Sequence, residues 1–229
     1  MSNPVNTTKD SLLLRYARFL REMGFVCFEP RVRTSGSDET KEHALHALTA
    51  EIKTCRKCVL CEKRINVVCG EGNPSAEIVF VGEAPGQKED EEGRPFVGPA
   101  GNLLSHYIQT IGLTREDVYI CNVIKCRPPG NRDPQGDEMK QCSKYLFQQI
   151  EIINPKVICT LGRFAAQTLL DVTTSISQLR GKVCLYKNFK VVPTFHPASL
   201  LYNAAYKEQF EKDFALLRQV YEEEKKAGS

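Results

Sequence analysis

Residues 77–86, EIVFVGEAPG, decide the fold: a short apolar, β-branched run leads directly into a turn rich in glycine and proline. Three further runs of this kind follow, at residues 118–124 (VYICNVI), 156–161 (KVICTL) and 190–195 (KVVPTF). Helical patterns separate or follow them near residues 100–111, 137–152, 163–170 and 203–226. Apolar strands that alternate with helices indicate an α/β fold with a parallel sheet covered on both faces.

In such folds, functional residues lie on the loops beyond the carboxyl ends of the strands. This rule selects four segments of the chain, residues 82–98, 122–133, 162–164 and 196–202.

Composition excludes several classes of protein. The chain has 229 residues, of which 41% are hydrophobic and 26% charged, so it is neither a disordered nor a collagen-like protein. No apolar run reaches the ~18–20 residues that span a bilayer, which argues against an integral membrane protein. The polar first ten residues, followed by a stretch that arginines interrupt, predict no secretory signal and therefore a cytoplasmic location.

The sequence predicts an N-terminal extension, residues 1–40, before a single domain at residues 41–229. Within the extension, residues 11–25 (SLLLRYARFLREMGF) have the spacing of an amphipathic helix that packs on the main domain or on another subunit. Residues 29–40 (EPRVRTSGSDET) have the composition of a linker. A second helix is expected to begin near Glu39 and to run into a cysteine cluster.

The net charge of +3 is small, but its distribution is uneven. Residues 93–115, 118–132 and 172–207 contain no Asp or Glu, and they carry several lysines and arginines. A basic rim around a pocket is expected of a protein that binds the phosphate backbone of nucleic acid. Because short acid-free stretches are common, charge alone gives this interpretation only a modest advantage.

Ten cysteines in a chain without a predicted signal indicate thiolate ligation rather than disulfides. Cys55 and Cys58 form a CxxC pair, and Cys126 and Cys142 lie far downstream, a pattern that fits a four-thiolate site joining two chain regions. The spacing does not distinguish zinc from an iron–sulfur cluster. Cys61 is either a free neighbour or a substitute ligand. Three cysteines in apolar strand-like segments are expected to be core residues: Cys121, Cys159 and Cys184.

Several side chains at the strand ends are candidates for catalysis or for binding a base. The turn at residues 83–86 exposes main-chain N–H groups and directs Glu83 into the cleft, and Glu89 follows it. Phe96, in a loop flanked by glycines, is a stacking platform or core filler. The amide of Asn122 matches the O4 and N3–H groups of uracil, or the reversed pattern of cytosine if the amide is flipped, unless it only caps a turn.

The last strand leads into His196, for which the position at a strand end favours a functional role over a structural one. Ser199 can donate a hydrogen bond to a phosphate, and Leu200 or Leu201 can act as an apolar wedge in a base stack.

Together these motifs resemble the type-4 uracil-DNA glycosylases, the iron–sulfur branch of the uracil-DNA glycosylase superfamily. The resemblance covers about residues 45–220, and four segments carry it: CRKCVLCEKR (55–64), GEAPGQKEDEEGRPFVGPAGNLL (82–104), NVIKCRPPGNRDP (122–134) and FHPASLL (195–201). It implies a three-layer α/β/α sandwich with a central four-stranded parallel sheet. It also implies a structural [4Fe–4S] cluster held by Cys55, Cys58, Cys126 and Cys142.

The implied activity is hydrolysis of the N-glycosidic bond of uracil in single- or double-stranded DNA, which leaves an abasic site for base excision repair. Catalysis would fall to His196, Glu83 and Glu89, with Glu89 favoured for positioning the water. The substrate-binding residues would be Ala84, Phe96, Asn122 and Asn131. The DNA contacts would be Arg127, Arg132, Ser199 and Leu201. Ala84 stands where the better-known branch of the superfamily has an Asp, so the mechanism of that branch is not transferable.

Two alternatives stay open at this point. A related branch traps uracil covalently through a histidine in a basic insert, but CRPPGNRDP at this place contains no histidine. A non-catalytic zinc or iron–sulfur DNA-binding protein would keep the cysteines and the basic rim without needing a base pocket. We expect a monomer, with a partner for the N-terminal helix as an open question.

Overall fold

A computed structural model of the chain describes residues 38–227. The predicted helix at residues 11–25 and most of the predicted linker lie outside the described residues, and the domain boundary at residue 40 stays a prediction.

A six-stranded sheet forms the centre of the fold. Its strands are β1 (Glu71–Gly72), β2 (Ile78–Gly82), β3 (Tyr119–Asn122), β4 (Val157–Leu161), β5 (Cys184–Tyr186) and β6 (Phe189–Thr194), in the order β1-β3-β2-β4-β6-β5. The four central strands, β3, β2, β4 and β6, are parallel and are the four that the sequence predicts. The short edge strands β1 and β5 pair antiparallel and were not predicted, because two or three residues carry too little pattern.

Eight α-helices connect and cover these strands in the part of the chain that the structure describes. They are α1 (Asp38–Lys53), α2 (Gln87–Glu92), α3 (Pro99–Thr110), α4 (Gly136–Ile153), α5 (Arg163–Leu170), α6 (Ile176–Leu179), α7 (Pro197–Tyr202) and α8 (Lys207–Ala227). The predicted final helix near 203–226 begins later, at Lys207, because Asn203 caps a separate turn by accepting a hydrogen bond from the Ala205 N–H. The short helices α2, α6 and α7 were not predicted.

The central strands are apolar throughout because both faces of the sheet are buried. Within β2, Val79 and Val81 face a core that includes side chains of α1, α4 and α5. Ile78 and Phe80 face a second core, which includes side chains of α3 and α8. The helices therefore form a layer on each side of the sheet, and the predicted three-layer α/β/α fold is confirmed.

The cysteines in the strands behave largely as predicted. Cys121 and Cys159 are buried in the core, whereas Cys184 is half-buried because it lies on the edge strand β5. Cys69, for which the sequence made no prediction, is also buried. Within residues 38–227, no helix is both long enough and apolar enough to cross a bilayer.

Candidate active site

Two of the predicted site residues, Asn122 and Phe96, come together at the end of β2. Gly82 pairs in register with Asn122, the last residue of β3. A Cβ atom at Gly82 would collide with Asn122 Oδ1 and would lie 2.5 Å from Cζ of Phe96. A side chain at this position is therefore excluded, and the glycine allows the amide of Asn122 and the ring of Phe96 to meet above the strand.

Asn122 carries an unsatisfied polar atom. Asn122 is only 2% exposed, and its side-chain oxygen Oδ1 has no hydrogen-bond partner among the described residues. Leaving a buried acceptor unpaired costs about 1–3 kcal/mol, so native proteins rarely do so without a reason. An acceptor of this kind at a strand end indicates a ligand with a matching donor.

Phe96 packs its ring in the second core, and further bonds hold its main chain. It has a positive φ of 53°, which is unusual for a residue other than glycine. The guanidinium of Arg115 donates to the carbonyl oxygens of Phe96 at 3.0 Å and Pro95 at 2.8 Å, and it also pairs with Glu71. These bonds fix a strained loop, which is a common feature of functional sites.

His196 lies directly beyond β6 as the N-cap of α7, and its ring stacks on Phe96 with centroids 5.6 Å apart. Its Nδ1 accepts a hydrogen bond from the Ala198 N–H at 3.2 Å, so the proton of the neutral ring is on Nε2. Burial lowers the pKa of His196 to about 4, although the nearby negative charge of Glu89 acts in the opposite direction. Near neutral pH, His196 is therefore an uncharged hydrogen-bond donor.

Glu83 follows Gly82, and the acidity of its carboxyl group lies well outside the ordinary range. Burial raises the pKa of Glu83 to about 7, with a further increase from Asp133 and an opposing effect from Arg163. Among the described residues, none donates a hydrogen bond to this carboxylate. A carboxyl group that ionises near neutral pH is suited to act as a general base.

Glu89 makes different contacts. Its Oε1 accepts hydrogen bonds from the N–H groups of Val97 and Gly98, both at 3.0 Å. Through these bonds α2 holds the loop that carries Phe96 and leads into α3. Glu89 thus holds the loop that carries Phe96.

The turn after Glu83 presents free donors. Within the described residues, the main-chain N–H groups of Ala84 and Gly86 have no acceptor. Two such groups in one turn can stabilise a developing negative charge, as in an oxyanion hole.

The four predicted metal ligands line one cleft: Cys55, Cys58, Cys126 and Cys142. Cys61 lines it too. No three of the His, Cys, Asp and Glu side chains among residues 38–227 are grouped to hold a single metal ion.

Polar groups around this cleft point to a buried anion. Arg64 Nη1 donates to Cys126 Sγ, and the main-chain N–H of Lys125 donates to Cys142 Sγ, both at 3.2 Å. Tyr145 also lines the cleft, and its buried hydroxyl lies close to Cys55. Burial raises the pKa of the free Cys142 thiol to about 11. The Cys142 thiol therefore needs a bound metal group to ionise near neutral pH.

The uracil-DNA glycosylase superfamily model matches residues 69–219 of the chain. The type-4 uracil-DNA glycosylase of Archaeoglobus fulgidus is 50% identical over 179 residues, which are 75% of this chain and 90% of the relative. The chain belongs to the type-4 uracil-DNA glycosylases. Enzymes of the same name from Sulfurisphaera tokodaii (49% over 186 residues; 77% and 84%) and Thermotoga maritima (49% over 166 residues; 72% and 86%) are similar to it to the same degree. The predicted family is thus confirmed.

The predicted DNA contacts of this family member are partly occupied by contacts within the protein. Arg132 forms a bidentate pair with buried Glu138, at 2.9 and 2.6 Å, and Arg127 donates to Asn131 Oδ1 at 2.8 Å. Asn131 lies on the exposed loop with its side chain in this bond. The Ser199 hydroxyl donates to the carbonyl of His196 at 2.7 Å. These bonds shape the loops, and direct contact of these residues with DNA stays a prediction.

Sequence reasoning missed three residues near the strand ends. Asp133 and Arg163 pair at 2.9 Å, and their charges act on Glu83. Arg163 follows β4 in a segment that the strand-end rule does select. Tyr202, directly after the 49%-exposed Leu201, is 89% exposed. An aromatic residue next to a predicted apolar wedge was the available signal for it.

Proposed function

We propose that this chain is a monofunctional uracil-DNA glycosylase, which hydrolyses the N-glycosidic bond between uracil and deoxyribose and leaves an abasic site for base excision repair. The observation that carries the proposal is the buried, unpartnered Oδ1 of Asn122, held between Gly82 and Phe96 at the end of the sheet. Uracil supplies the donor that this atom lacks, its N3–H, and accepts from the amide nitrogen through O4.

Binding requires that the uracil leaves the base stack. Flipping a base costs a few kcal/mol, and the cost is smallest where the base is mispaired or single-stranded. Stacking on an aromatic ring returns about 1–3 kcal/mol per base, and Phe96 is the ring that meets the pocket. Leu201, exposed at the end of α7, is suited to fill the space that the base leaves.

Cleavage places negative charge on the uracil and positive charge on the sugar. In the proposed mechanism His196 donates from Nε2–H to the developing anion at O2, as a neutral imidazole. The unbonded N–H groups of Ala84 and Gly86 add to this stabilisation. Removing one preorganised donor of this kind typically costs about 10²–10³-fold in rate.

A carboxylate then has to orient the water and face the cationic sugar. The contacts favour Glu83 for this role, because its carboxylate has no internal donor and its pKa is about 7. Glu89, which the sequence favoured, accepts two main-chain N–H groups with Oε1 and is proposed to hold the Phe96 loop. This assignment reverses the preference drawn from the sequence.

We also propose that Cys55, Cys58, Cys126 and Cys142 hold a [4Fe–4S] cluster. The donors directed at sulfur, from Arg64 and the Lys125 main chain, fit such a group. Four protein ligands close its coordination, so when bound it supplies a covalent cross-link rather than a reaction centre. That link joins the loop after α1 to the 125–134 loop, which is proposed to contact DNA together with Arg127 and Arg132.

The test is base excision by purified protein on an end-labelled oligonucleotide with one uracil, followed by heating in alkali and a denaturing gel. A break at the uracil that requires alkali, with none at a thymine control, supports the proposal. His196→Ala and Asn122→Ala are expected to lose most of this activity and still bind DNA. Lys156→Met, a control at the other end of β4, should behave like wild type.

The same assay judges the alternatives. A folded, iron-containing protein that binds uracil-containing DNA without a break would contradict the proposal and favour a non-catalytic binding protein. A product that stays attached to the protein through denaturation would favour covalent trapping.

A further inference from the structure

Lys125 is a fully buried lysine without an acidic partner. The residue is 1% exposed, and its Nζ donates to the carbonyl oxygen of Asn122 at 2.7 Å and to Gln149 Oε1 at 2.5 Å. Both acceptors are uncharged. In residues 38–227, no carboxylate lies within ion-pair distance of this ammonium group.

A buried ammonium ion is costly unless an anion compensates its charge. Thiols are the groups near Lys125 that can become anionic: Cys69 and Cys121 in the core, and Cys142 in the cleft. Of these three, only Cys142 lines the cleft that a metal group would occupy. The main-chain N–H of Lys125 donates to Cys142 Sγ at 3.2 Å, and the next residue in the chain is Cys126. Four thiolates around a metal cluster would place net negative charge beside the lysine.

The segment around Lys125 also contacts the base pocket. The N–H groups of Val123 and Ile124 donate to the carbonyl oxygens of Gly82 at 3.0 Å and Glu83 at 2.9 Å. The ammonium group of Lys125 fixes the carbonyl of Asn122 in the same segment. The main chain of Asn122, whose side-chain amide is proposed to bind the base, is therefore held by hydrogen bonds to β2 and Glu83 and by the hydrogen bond from Lys125.

Gln149 provides the second acceptor for the ammonium group of Lys125. Its Nε2 donates to the carbonyl oxygen of Cys69 at 2.7 Å and to the Tyr119 hydroxyl at 3.2 Å, so its Oε1 is directed at Lys125. Gln149 and Cys142 lie on the same helix, α4. Gln149 thus links Lys125 to the main chain before β1 and to the Tyr119 hydroxyl.

We propose that Lys125 is a positioning residue that couples the cysteine cleft to the base pocket: its ammonium group holds the Asn122 carbonyl, and the anionic cluster compensates its charge. The inference rests on the proposed function, in which Asn122 reads uracil. It gives the cluster a defined effect on the pocket, because loss of the anion weakens the group that fixes Asn122.

The first test is Lys125→Met, which keeps an unbranched apolar side chain of similar shape and removes the ammonium group. A lost hydrogen bond to a charged group changes a rate by about 10–100-fold, so single-turnover uracil release should slow by that factor. The variant should retain its iron, and the midpoint potential of its cluster should become more negative, because a neighbouring positive charge is gone. Lys156→Met is the matched control, since Lys156 pairs with Glu77 at the opposite end of β4.

Combining variants shows whether Lys125 acts through Asn122. In an Asn122→Ala background, Lys125→Met should cause no further slowing, because residues that act through one contact are not additive. A wild-type rate or an unchanged midpoint potential for Lys125→Met overturns the inference, and so does an additive effect in the double variant.

A second variant judges charge compensation without using activity, and it decides alone where Lys125→Met does not fold. Gln149→Glu places a carboxylate beside the ammonium group. Removing iron with a chelator should lower the Tm of wild type more than that of this variant. Equal decreases would overturn the inference. If wild type releases no uracil, the proposed function fails, and the Tm comparison still reports on the coupling.

Discussion

Titration of Glu83 provides the sharpest test of the proposed mechanism. A general base with a pKa of about 7 is about 9% ionised at pH 6 and about 91% ionised at pH 8. The rate of base release should therefore increase about tenfold over this interval and level off above it. A carboxylate with an ordinary pKa would give a constant rate across the same range.

The assay is single-turnover release of uracil from a labelled oligonucleotide, with enzyme in excess, from pH 5.5 to 8.5 at constant ionic strength. The titration of His196 does not contribute to the change of rate near pH 7, because its pKa is about 4. Glu83→Gln should be slow at every pH and should show no inflection near pH 7.

Two neighbouring charges provide matched controls with opposite signs. Asp133 raises the pKa of Glu83, so Asp133→Asn should move the inflection to lower pH. Arg163 lowers it, so Arg163→Gln should move the inflection to higher pH. Both displacements should be small, because these side chains are 72% and 50% exposed and solvent screens them. A constant wild-type rate between pH 6 and pH 8, or an inflection that survives in Glu83→Gln, would refute the assignment and return the role to Glu89.

Three further predictions concern the pocket, the cluster and the wedge. Gly82→Ala should abolish uracil release, because its Cβ would displace Phe96 and Asn122. Gly136→Ala, where a Cβ has open space, should leave the rate unchanged. Equal rates for the two variants would contradict the proposed pocket. Cys142→Ala should lose iron and the absorption near ~400 nm, and Cys61→Ala should retain both; iron loss from the second variant would make Cys61 a ligand. Leu201→Ala should slow release from double-stranded substrate several-fold more than from single-stranded substrate, because only the duplex leaves a gap in its stack, and an equal effect on both would exclude the wedge.

The elements that the sequence predicted well are those with local causes. The four central strands were identified because each is a continuous apolar run followed by a turn, and burial on both faces requires such a run. The candidate pocket residues Glu83, Asn122 and His196 were selected by the same local feature, the end of a strand. The cysteine spacing selected four thiols that line one cleft, which Cys61 lines as well.

The sequence predicted less where a residue's role depends on a distant partner. Arg132 was expected to contact phosphate, and its bidentate pair with Glu138 forms only when the loop folds onto α4. Glu89 and Glu83 are equivalent as sequence letters, and they differ because one meets two main-chain N–H groups and the other meets none.

For this protein, then, the sequence by itself determined the class of fold, the family and the set of residues at the strand ends, since hydrophobic period, turn residues and motif spacing are all written along the chain. Only the tertiary structure decided that β3 lies beside β2, that Phe96 packs over Gly82, and that Lys125 is buried between the cysteine cleft and Asn122. These features arise from contacts between segments far apart in the chain, where burial and hydrogen bonding in three dimensions set the energy of each group.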